Sequence, residues 1–494
     1  MNRLNRSVIY IARFTLEART ALSIGTGGPD GIYDHPIVRD ANGLPMIPGT
    51  SLAGVLRALT AAVGGDDIVN NLFGWQASVR GAPSCVEVAA CALQDSAGRP
   101  IEGLLLDAAD RTRLATDRLL RDALATQNDP LFRDRVRLTH RGVAAKNSKY
   151  DRGLLAAGHR FSGEIRLWSE AKDDHHWSSL LDLLAHPLLR LGGATRAGMG
   201  AMALRALHVG VFDLREPSNV AAYRKLGSRL HDLKGLDPYP IDALSQDDDT
   251  RILSIELTPR DFWRFGQGNQ SLAGQRDKVP DLLPMVEPII TWSPSGQAQV
   301  SARLALVPGS SIKGALAHRT AFHWNALNQR YVDDLPETTI ATWDKSDDCD
   351  GVREIFGYAK GKQSDSDRKP EESGQAGHLI IDDVYVDLPE QAIQHHIQTM
   401  IHNSLDRFTG GVRNRMLFTE ELVYRCPIPL RITLLPGIDT TEAKARRAFS
   451  RAVRDLCDGR LSLGAGTTKG HGSFSGVLDD TTRGWLDAQE DAST

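Results

Sequence analysis

The chain has 494 residues, a length that predicts two or three domains rather than one. Apolar residues make up 41% of it and charged residues 24%, the balance of a globular protein with ample material for its cores. The formal net charge of -4 argues weakly against a nucleic-acid binder. A net charge averages over all faces, however, and does not exclude a local basic patch.

The sequence contains no apolar run near the length of a membrane span and no charged-then-apolar leader. We therefore expect a cytoplasmic protein without a membrane partner. The five cysteines include no C-x-x-C pair, which argues against a disulfide framework and against a zinc knuckle. Cys85 and Cys91 are compatible with half a metal site, but buried thiols are the favoured interpretation.

A predicted first strand up to Phe14 is followed by a glycine-rich stretch at residues 25–40. This stretch carries Asp30, Asp34 and Asp40, which could bind a divalent metal ion or serve acid/base chemistry. Turn formation is the alternative interpretation of the three aspartates.

The motif Pro48-Gly49-Thr50-Ser51 predicts the start of a helix, with Thr50 or Ser51 as its cap. Apolar residues follow with the helical spacing i, i+3, i+4 and i+7, namely Leu52, Val55, Leu56 and Leu59. Arg57 adds a cation to this helix and is a candidate phosphate contact.

Residues 133–160 contain eight basic side chains against two acidic ones, a local net charge of +6. Glycines and small polar residues interrupt this stretch, which indicates a basic hairpin or finger. Such a patch attracts a phosphate backbone without reading bases. Its candidate contacts are Arg135, Arg137, Arg141, Lys146 and Lys149, although a solvated basic surface explains the composition equally well.

Three sequence elements occur twice in the same order, which predicts two homologous domains. Residues 44–57 resemble residues 304–316, and both contain the Pro-Gly-Ser/Thr-Ser motif. Leu72-Phe73-Gly74 matches Ile355-Phe356-Gly357. The glycine-rich residues 191–200 match residues 463–472.

The two glycine-rich loops could approach a phosphate closely through their backbone, and a tight strand turn is the alternative. Their candidate contacts are Gly193, Arg196, Gly198, Gly466, Lys469, Gly470 and His471. Ser310, Ser311 and Lys313 are candidates on the second helix. Arg407, Arg413 and Arg415, around Gly410-Gly411, form a second basic stretch like that of residues 133–160.

We predict domain one at residues 1–211, a linker at 212–250, domain two at 251–479 and a frayed tail at 480–494. The linker contains three prolines, an acidic run and one short helical stretch at residues 221–233. Residues 361–377 are predicted to be a polar insertion. Strands broken by helices predict an α+β fold with a ferredoxin-like core.

Together these motifs resemble the RAMP superfamily, and most closely the backbone subunits of type III CRISPR effectors. Residues 33–40 with 44–52 are similar to the family's N-terminal signature. Residues 135–138 with 158–163 resemble its thumb hairpin and returning strand, as do residues 406–412 with 417–418 in domain two. The glycine-rich stretches resemble its C-terminal loop.

The resemblance implies two ferredoxin-like (modified RRM) domains with thumb hairpins, fused as in type III-D relatives. It implies crRNA, target single-stranded RNA and other effector subunits as partners. It also implies target-RNA cleavage that depends on Mg²⁺ or another divalent cation, with Asp34 as catalytic and metal-binding residue. A non-catalytic crRNA scaffold and a CRISPR repeat-processing endoribonuclease are the alternatives, and an unrelated protein adaptor is a more distant one.

Domain two is expected to bind RNA without cutting it. Aligning Pro36-Ile37 with Pro288-Ile289 places Val286 opposite Asp34, while Glu287 falls opposite His35 and would point to the other face of a strand. Asp281 is the carboxylate that could replace Asp34 from a nearby loop.

Overall fold

The structure is a computed structural model. It describes residues 6–29, 33–139, 142–245, 250–266, 268–274, 278–301, 304–331, 333, 349–358, 374–388 and 393–491. Among these residues, no helix is both long and apolar enough to cross a membrane. The acidic run of the predicted linker and most of the insertion at 361–377 lie outside the described residues.

Domain one is built around a central antiparallel sheet. Its strands are β1 (Val8–Ala18), β2 (Trp75–Ala77), β3 (Arg80–Ala82), β4 (Val86–Val88), β5 (Ala92–Leu93), β6 (Leu131–Arg135), β7 (Tyr150–Leu154), β8 (Arg160–Ser169) and β9 (Met202–Asp213). Its helices are α1 (Gly49–Gly64), α2 (Asp66–Phe73), α3 (Ala108–Thr116), α4 (Arg118–Ala125) and α5 (His175–Ala185). In the sheet, β1 lies between β8 and β9, and β4 pairs with the far edge of β8.

Domain two repeats this plan. Its strands are β11 (Arg251–Pro259), β12 (Phe262–Trp263), β13 (Val286–Glu287), β14 (Ile290–Trp292), β15 (Ala298–Val300), β16 (Leu304–Val307), β17 (Gly357–Tyr358), β18 (Gln375–Ala376), β19 (Leu379–Ile381), β20 (Val384–Val386), β21 (Ile397–His402), β22 (Phe418–Tyr424), β23 (Ile428–Leu434) and β24 (Phe474–Leu478). Its helices are α7 (Gly309–Leu327), α8 (Asp350–Phe356), α9 (Ile393–His396), α10 (Ala443–Cys457) and α11 (Asp480–Asp491). Here β11 lies between β23 and β24, with β19 on the far edge of β23.

The principal elements of each domain follow the order strand, helix, strand, strand, helix, strand. In domain one these are β1, α1, β4, β8, α5 and β9, and in domain two they are β11, α7, β19, β23, α10 and β24. This is the element order of the ferredoxin-like unit. The predicted α+β class with two equivalent domains is confirmed.

The Pro-Gly motif works through its glycine rather than through a capping hydroxyl. Helix α1 starts at Gly49 directly after Pro48, and the structure shows no side-chain cap. A Cβ at Gly49 would lie 2.3 Å from the Val88 carbonyl oxygen, and one at Gly309 would lie 2.2 Å from that of Ile381. Each helix therefore starts against a sheet strand, and the expected cap by Thr50 or Ser51 is wrong.

The segment predicted to be a linker folds over the open face of the first sheet. It contains helix α6 (Pro217–Lys225) and strand β10 (Asp237–Pro238), which pairs with β9. Strand β1 is apolar on both faces: Tyr10 packs toward the helices, while Ile9 and Ile11 form a second core with Leu236 of this segment. Buried Arg13 donates to the carbonyls of residues 227, 229 and 232. The segment is thus part of domain one.

The tail is also more ordered than predicted. Helix α11 spans Asp480–Asp491 and buries Trp485 and Leu486. Glu490 accepts hydrogen bonds from Arg447 and Arg451 of α10. Only the last three residues of the predicted frayed tail lie outside the described part of the chain.

The two domains meet at a seam held by buried ion pairs. Arg133, 2% exposed, lies 2.5 Å from a carboxylate oxygen of Glu287 and 2.6 Å from one of Asp383. Arg190 lies 2.5 Å from Asp382. These contacts desolvate their charges but pair them, so removing one partner would leave an unpaired buried charge.

A hairpin formed by β14 and β15 clasps domain one at the same seam. The Trp292 indole donates to the Gly158 carbonyl at 2.7 Å, and the Arg160 guanidinium lies 4.1 Å from the Trp292 ring. Domain one has only a short turn at the matching place, between residues 38 and 47. The ion pairs and this hairpin join the two domains, and so they set the relative positions of the glycine-rich loops at residues 191–200 and 463–472.

Candidate nucleic-acid interface

The two glycine-rich loops are held by equivalent backbone hydrogen bonds. In domain one, Leu191 N–H donates to the Gly200 carbonyl at 2.9 Å, and Gly193 N–H donates to Ser23 at 2.7 Å. In domain two, Leu463 N–H donates to Gly472 at 2.9 Å, and Ala465 N–H donates to Arg264 at 2.8 Å. Each loop then makes one 3₁₀ turn between residues with left-handed backbones, Ala194 and Gly198 in the first and Gly466 and Gly470 in the second.

A group of arginines lies under the first loop. The Arg152 guanidinium fills the space beside Gly193, where a Cβ would lie 2.3 Å from Nη1. Arg135 is close to Arg152, and its pKa is lowered first by burial and then by its arginine neighbours. We call Arg135, Arg152 and Arg196 the domain-one cradle.

Tyr150 and Asp383 partly offset the charge of Arg135, but several nitrogens of the cradle lack an acceptor among the described residues. Nε and Nη2 of Arg135, Nε of Arg152 and Nε of Arg196 are buried, and none has a hydrogen-bond partner in the described part of the chain. Buried guanidinium nitrogens without acceptors cost free energy unless an anion or water reaches them. The cradle is therefore suited to a phosphate from outside the protein.

The first helix of domain two reaches the first loop across the seam. Residues 195–197 contact both α7 and β19. Lys313 on α7 is mostly buried, and its pKa is lowered to about 8, first by that burial and then by Arg196. Burial and Arg196 also lower the pKa of His378. Arg196 and Lys313, both predicted RNA contacts, are thus brought together from two domains.

Domain two has a buried acid where domain one has Arg152. Glu420, 1% exposed, accepts from Arg264 Nε at 2.9 Å and lies 3.6 Å from the Lys469 ammonium. A His402 ring nitrogen lies 2.9 Å from the same carboxylate. Burial raises the pKa of Glu420, but Arg264, Lys469 and His402 lower it by more, so the pKa lies below its usual value. The predicted contact Lys469 therefore has an anionic neighbour within the protein.

Both predicted thumbs are hairpins, formed by β6 with β7 and by β21 with β22. In the first, Lys146 is exposed and Lys149 lies 3.0 Å from Asp134, so part of the +6 charge is locally paired. Arg137 has an interaction within the protein, and Arg141 lies outside the described residues.

The second thumb is more exposed at its tip. Arg407, Arg413 and Arg415 are all exposed there, and the side chain of Phe408 is 100% exposed. Three cations beside an uncovered aromatic ring suit a phosphate backbone and a base face.

Asp34 is exposed and tied to the returning strand of the first thumb. Its N–H donates to Asp151 Oδ1 at 2.9 Å, and Asp151 N–H donates to Asp34 Oδ2 at 3.1 Å. Beside this pair, Gly153 N–H donates to the His35 carbonyl at 2.9 Å. Two carboxylates therefore sit side by side at the base of the thumb.

Asp281 makes the same contacts in domain two. Its N–H donates to Thr419 Oγ1 at 3.1 Å, and Thr419 N–H donates to Asp281 Oδ2 at 2.7 Å. Glu421 N–H donates to the Leu282 carbonyl at 2.8 Å, as Gly153 does to His35. Asp281 thus occupies the position of Asp34, and Thr419 that of Asp151.

This equivalence corrects the register expected from the Pro-Ile pairs. Val38 N–H bonds to Ile24, and Met285 N–H makes the matching bond to Phe265, so Val286 does not correspond to Asp34. Glu287 is not a spare carboxylate either, because it is buried against Arg133. Domain two therefore has a carboxylate, Asp281, at the position of Asp34, contrary to the register expected from the sequence.

Other residues predicted to contact RNA make mainly structural contacts within the protein. Arg57 donates to the Gly74 carbonyl at 2.9 Å and so ties α1 to the end of α2. His471 is buried, with its ring edge-on to Phe262. Ser310 is half-buried and Ser311 exposed in the first turn of α7.

Sequence reasoning missed the roles of Arg152 and Glu420, and it named Asp281 only as a possible replacement for Asp34. Arg152 directly precedes Gly153, and Glu420 directly precedes Glu421, the two residues whose N–H groups donate to the segments containing Asp34 and Asp281. This match appears only when the hydrogen bonds of the two thumbs are compared. Asp34 is followed two residues later by Pro36, but Asp281 is followed at the same distance by Leu283. The residues around the two aspartates therefore do not look alike in sequence. Backbone hydrogen bonds, rather than residue identity, preserve the match.

The resemblance to type III backbone subunits implies a divalent cation at Asp34, and the two carboxylates at this position suit one. Asp34 and Asp151 offer neighbouring carboxylate oxygens, the ligands that Mg²⁺ prefers. Another set of possible metal ligands in the described residues, Asp174, His175 and His176, lies at the start of α5. There Asp174 caps the helix by accepting from His176 N–H.

The two domains share one fold, and each carries a thumb hairpin and a glycine-rich loop. The family model of the RAMP superfamily matches residues 15–203 and 291–475, one stretch in each domain. The chain belongs to the RAMP superfamily.

Comparison with solved structures gives a match to a chain from "Cryo-EM structure of the Type III-B Cmr-beta bound to cognate target RNA". The TM-score is 0.30 at 15% identity, and the match covers 40% of this chain and 96% of that one. No curated protein matches the sequence.

Proposed function

We propose that the chain is a crRNA-binding backbone subunit of a type III CRISPR effector, which grips the guide RNA and cleaves complementary target RNA. The domain-one cradle carries this proposal, because its buried guanidinium nitrogens have no acceptor in the described protein. Membership of the RAMP superfamily and the two thumb hairpins support it.

In this proposal the cradle and α7 hold guide phosphates, while the thumbs reach into the paired strands. Phosphate contacts fix position without reading sequence, as a subunit that accepts any guide requires. Exposed Phe408 at the tip of the second thumb would stack on a base displaced from the duplex.

Target cleavage is assigned to the base of each thumb. Because Asp34 and Asp151 exchange hydrogen bonds, the Asp34 carboxylate is fixed to the strand that would displace the target. It would orient the 2′-hydroxyl beside the scissile phosphate and accept its proton. Asp34 and Asp151 would hold Mg²⁺ or another divalent cation, which supplies charge stabilisation when bound.

Domain two is proposed to make a second cut, through Asp281. The equivalent hydrogen bonds of Asp281 and Thr419 favour this over a domain that only binds RNA. Thr419 brings a hydroxyl where domain one has the Asp151 carboxylate, so the cation would be held more weakly. The second cut should therefore require more Mg²⁺ than the first.

The test is cleavage of an end-labelled target by the assembled complex, with the purified chain and repeat RNA as a separate arm. We expect two Mg²⁺-dependent products from the target and none from repeat RNA alone. Cleavage of repeat RNA would support the processing alternative. Binding of guide and target without any cleavage would support the non-catalytic scaffold.

A further inference from the structure

Two cations from different domains meet at the seam, beside an Asp383 carboxylate that is already paired with Arg133. Arg196 lies in the turn of the first glycine loop, and Lys313 lies one turn into α7. Asp383 N–H donates to the Gly198 carbonyl at 3.2 Å and holds this loop against domain two. A contact between the domains therefore creates the juxtaposition.

The two acids nearest this site, Asp382 and Asp383, form ion pairs with other arginines. Asp383 pairs with Arg133 and accepts from Gly309 N–H, and Asp382 pairs with Arg190. Arg196 lowers the pKa of Lys313 and of the neighbouring His378, while Glu354 raises that of His378. Glu354 accepts the Glu442 N–H and influences His378, but it is not among the groups that act on Lys313.

Burying two like charges side by side is unfavourable unless an anion joins them. A phosphodiester oxygen between the two side chains would relieve the repulsion and contact both domains.

We propose that Arg196 and Lys313 together bind one RNA phosphate that bridges the two domains, and that this binding is coupled to protonation of Lys313. The inference rests on the proposed RNA-binding function. It adds that the seam itself is a binding site and that RNA affinity depends on pH through one side chain.

The direction of the pH effect follows from the free protein. Burial and Arg196 bring the pKa of Lys313 to about 8, so the ammonium is largely formed at pH 7 and largely lost at pH 9. A bound phosphate stabilises the ammonium and raises its pKa. Affinity should therefore fall as pH rises above 8, by up to about tenfold per pH unit for one linked proton.

The test uses the full chain, freed of nucleic acid, and a labelled unstructured single-stranded RNA at constant ionic strength. The dissociation constant is measured at pH 7, 8 and 9 for the wild type, Lys313→Arg and Lys172→Arg. Arginine stays charged throughout this range, so Lys313→Arg should remove most of the loss of affinity. Exposed Lys172, paired with Glu216, is the matched control and should keep the wild-type profile.

Proton uptake by the wild type gives an independent measurement that needs no variant. Calorimetric titration at pH 9 in two buffers of different ionisation enthalpy should show about one proton taken up per chain. Equal pH profiles for wild type and Lys313→Arg, or no proton uptake, would overturn the coupling while leaving RNA binding intact. Absence of RNA binding at every pH would instead overturn the proposed function.

Discussion

Beneath the first glycine loop lie Arg135 and Arg152, whereas the matching positions beneath the second loop hold His402 and Glu420. The match is defined by the thumbs, where Arg135 faces Tyr150 and His402 faces Phe418 across the hairpin. In the described part of domain one, several guanidinium nitrogens of the cradle have no acceptor, whereas in domain two Glu420 pairs with Arg264 and lies close to Lys469. The two domains thus share a backbone but differ in electrostatics. Domain one needs an external anion beneath its glycine loop, and domain two does not.

The largest effect should come from the two aspartates. Asp34→Asn keeps the shape of the side chain but removes its charge and basicity, so the first cut should fall by at least about 100-fold. Asp281→Asn should do the same to the second cut only. Mapping the 5′ ends of target products distinguishes the two cuts, and a single cut insensitive to Asp281→Asn would restore the inactive-domain hypothesis.

Exchanging the partners of these aspartates sharpens the comparison. Asp151→Thr gives domain one the hydroxyl of domain two, and Thr419→Asp does the reverse. The Mg²⁺ concentration for half-maximal cleavage should rise for the first cut and fall for the second. If neither concentration changes, the partner residue does not hold the cation.

The seam should respond strongly to Arg133→Met, which copies Met400, the residue that occupies the matching position in domain two. Glu287 and Asp383 would be left buried without their cation, and we expect a loss of about 3–5 kcal/mol in the free energy of unfolding. Urea denaturation of the full chain measures it. Met400→Ala provides a control outside the seam and should change the midpoint far less.

Charge reversal in the cradle should have a smaller effect on RNA affinity. Arg152→Glu places the acid of domain two under the first loop, where it can pair with Arg135, and should weaken binding by about tenfold or more at low salt. Arg152→Gln removes the charge without reversing it and should lie between this variant and the wild type. Equal affinities for all three proteins would exclude Arg152 from the interface.

The smallest effects are expected at the thumb tips. Replacing Arg407, Arg413 and Arg415 by alanine should weaken binding of all RNA sequences alike, by a few-fold, since exposed cations contact phosphate in solvent. The pair Arg137→Ala and Lys146→Ala should act less, because some charge of the first thumb is paired internally. Fluorescence anisotropy with two unrelated RNAs would reveal any sequence dependence, which this account does not predict.

The repeat motifs in the sequence predicted two domains, and strands interrupted by helices predicted the α+β class. The thumbs were expected from the resemblance to the RAMP superfamily. The repeat motifs did not predict the fold of residues 217–245, because the apolar residues that bind Ile9 and Ile11 are few and widely spaced. The seam was equally hidden, since Arg133 and Asp383 are 250 residues apart and resemble ordinary surface charges in the sequence. Val286 was aligned with Asp34 because the shared proline and isoleucine suggested that register, whereas the hydrogen bonds match Asp34 with Asp281, named earlier only as a possible substitute.

The salt dependence of RNA binding tests the central claim most directly, that the domain-one cradle neutralises RNA phosphates. For the wild type and for Arg135→Ala/Arg152→Ala/Arg196→Ala, the logarithm of the association constant is measured against the logarithm of salt concentration. Each lost contact with single-stranded RNA should reduce the slope by about 0.7, giving a total reduction of about 2. An unchanged slope in the triple variant would contradict the account.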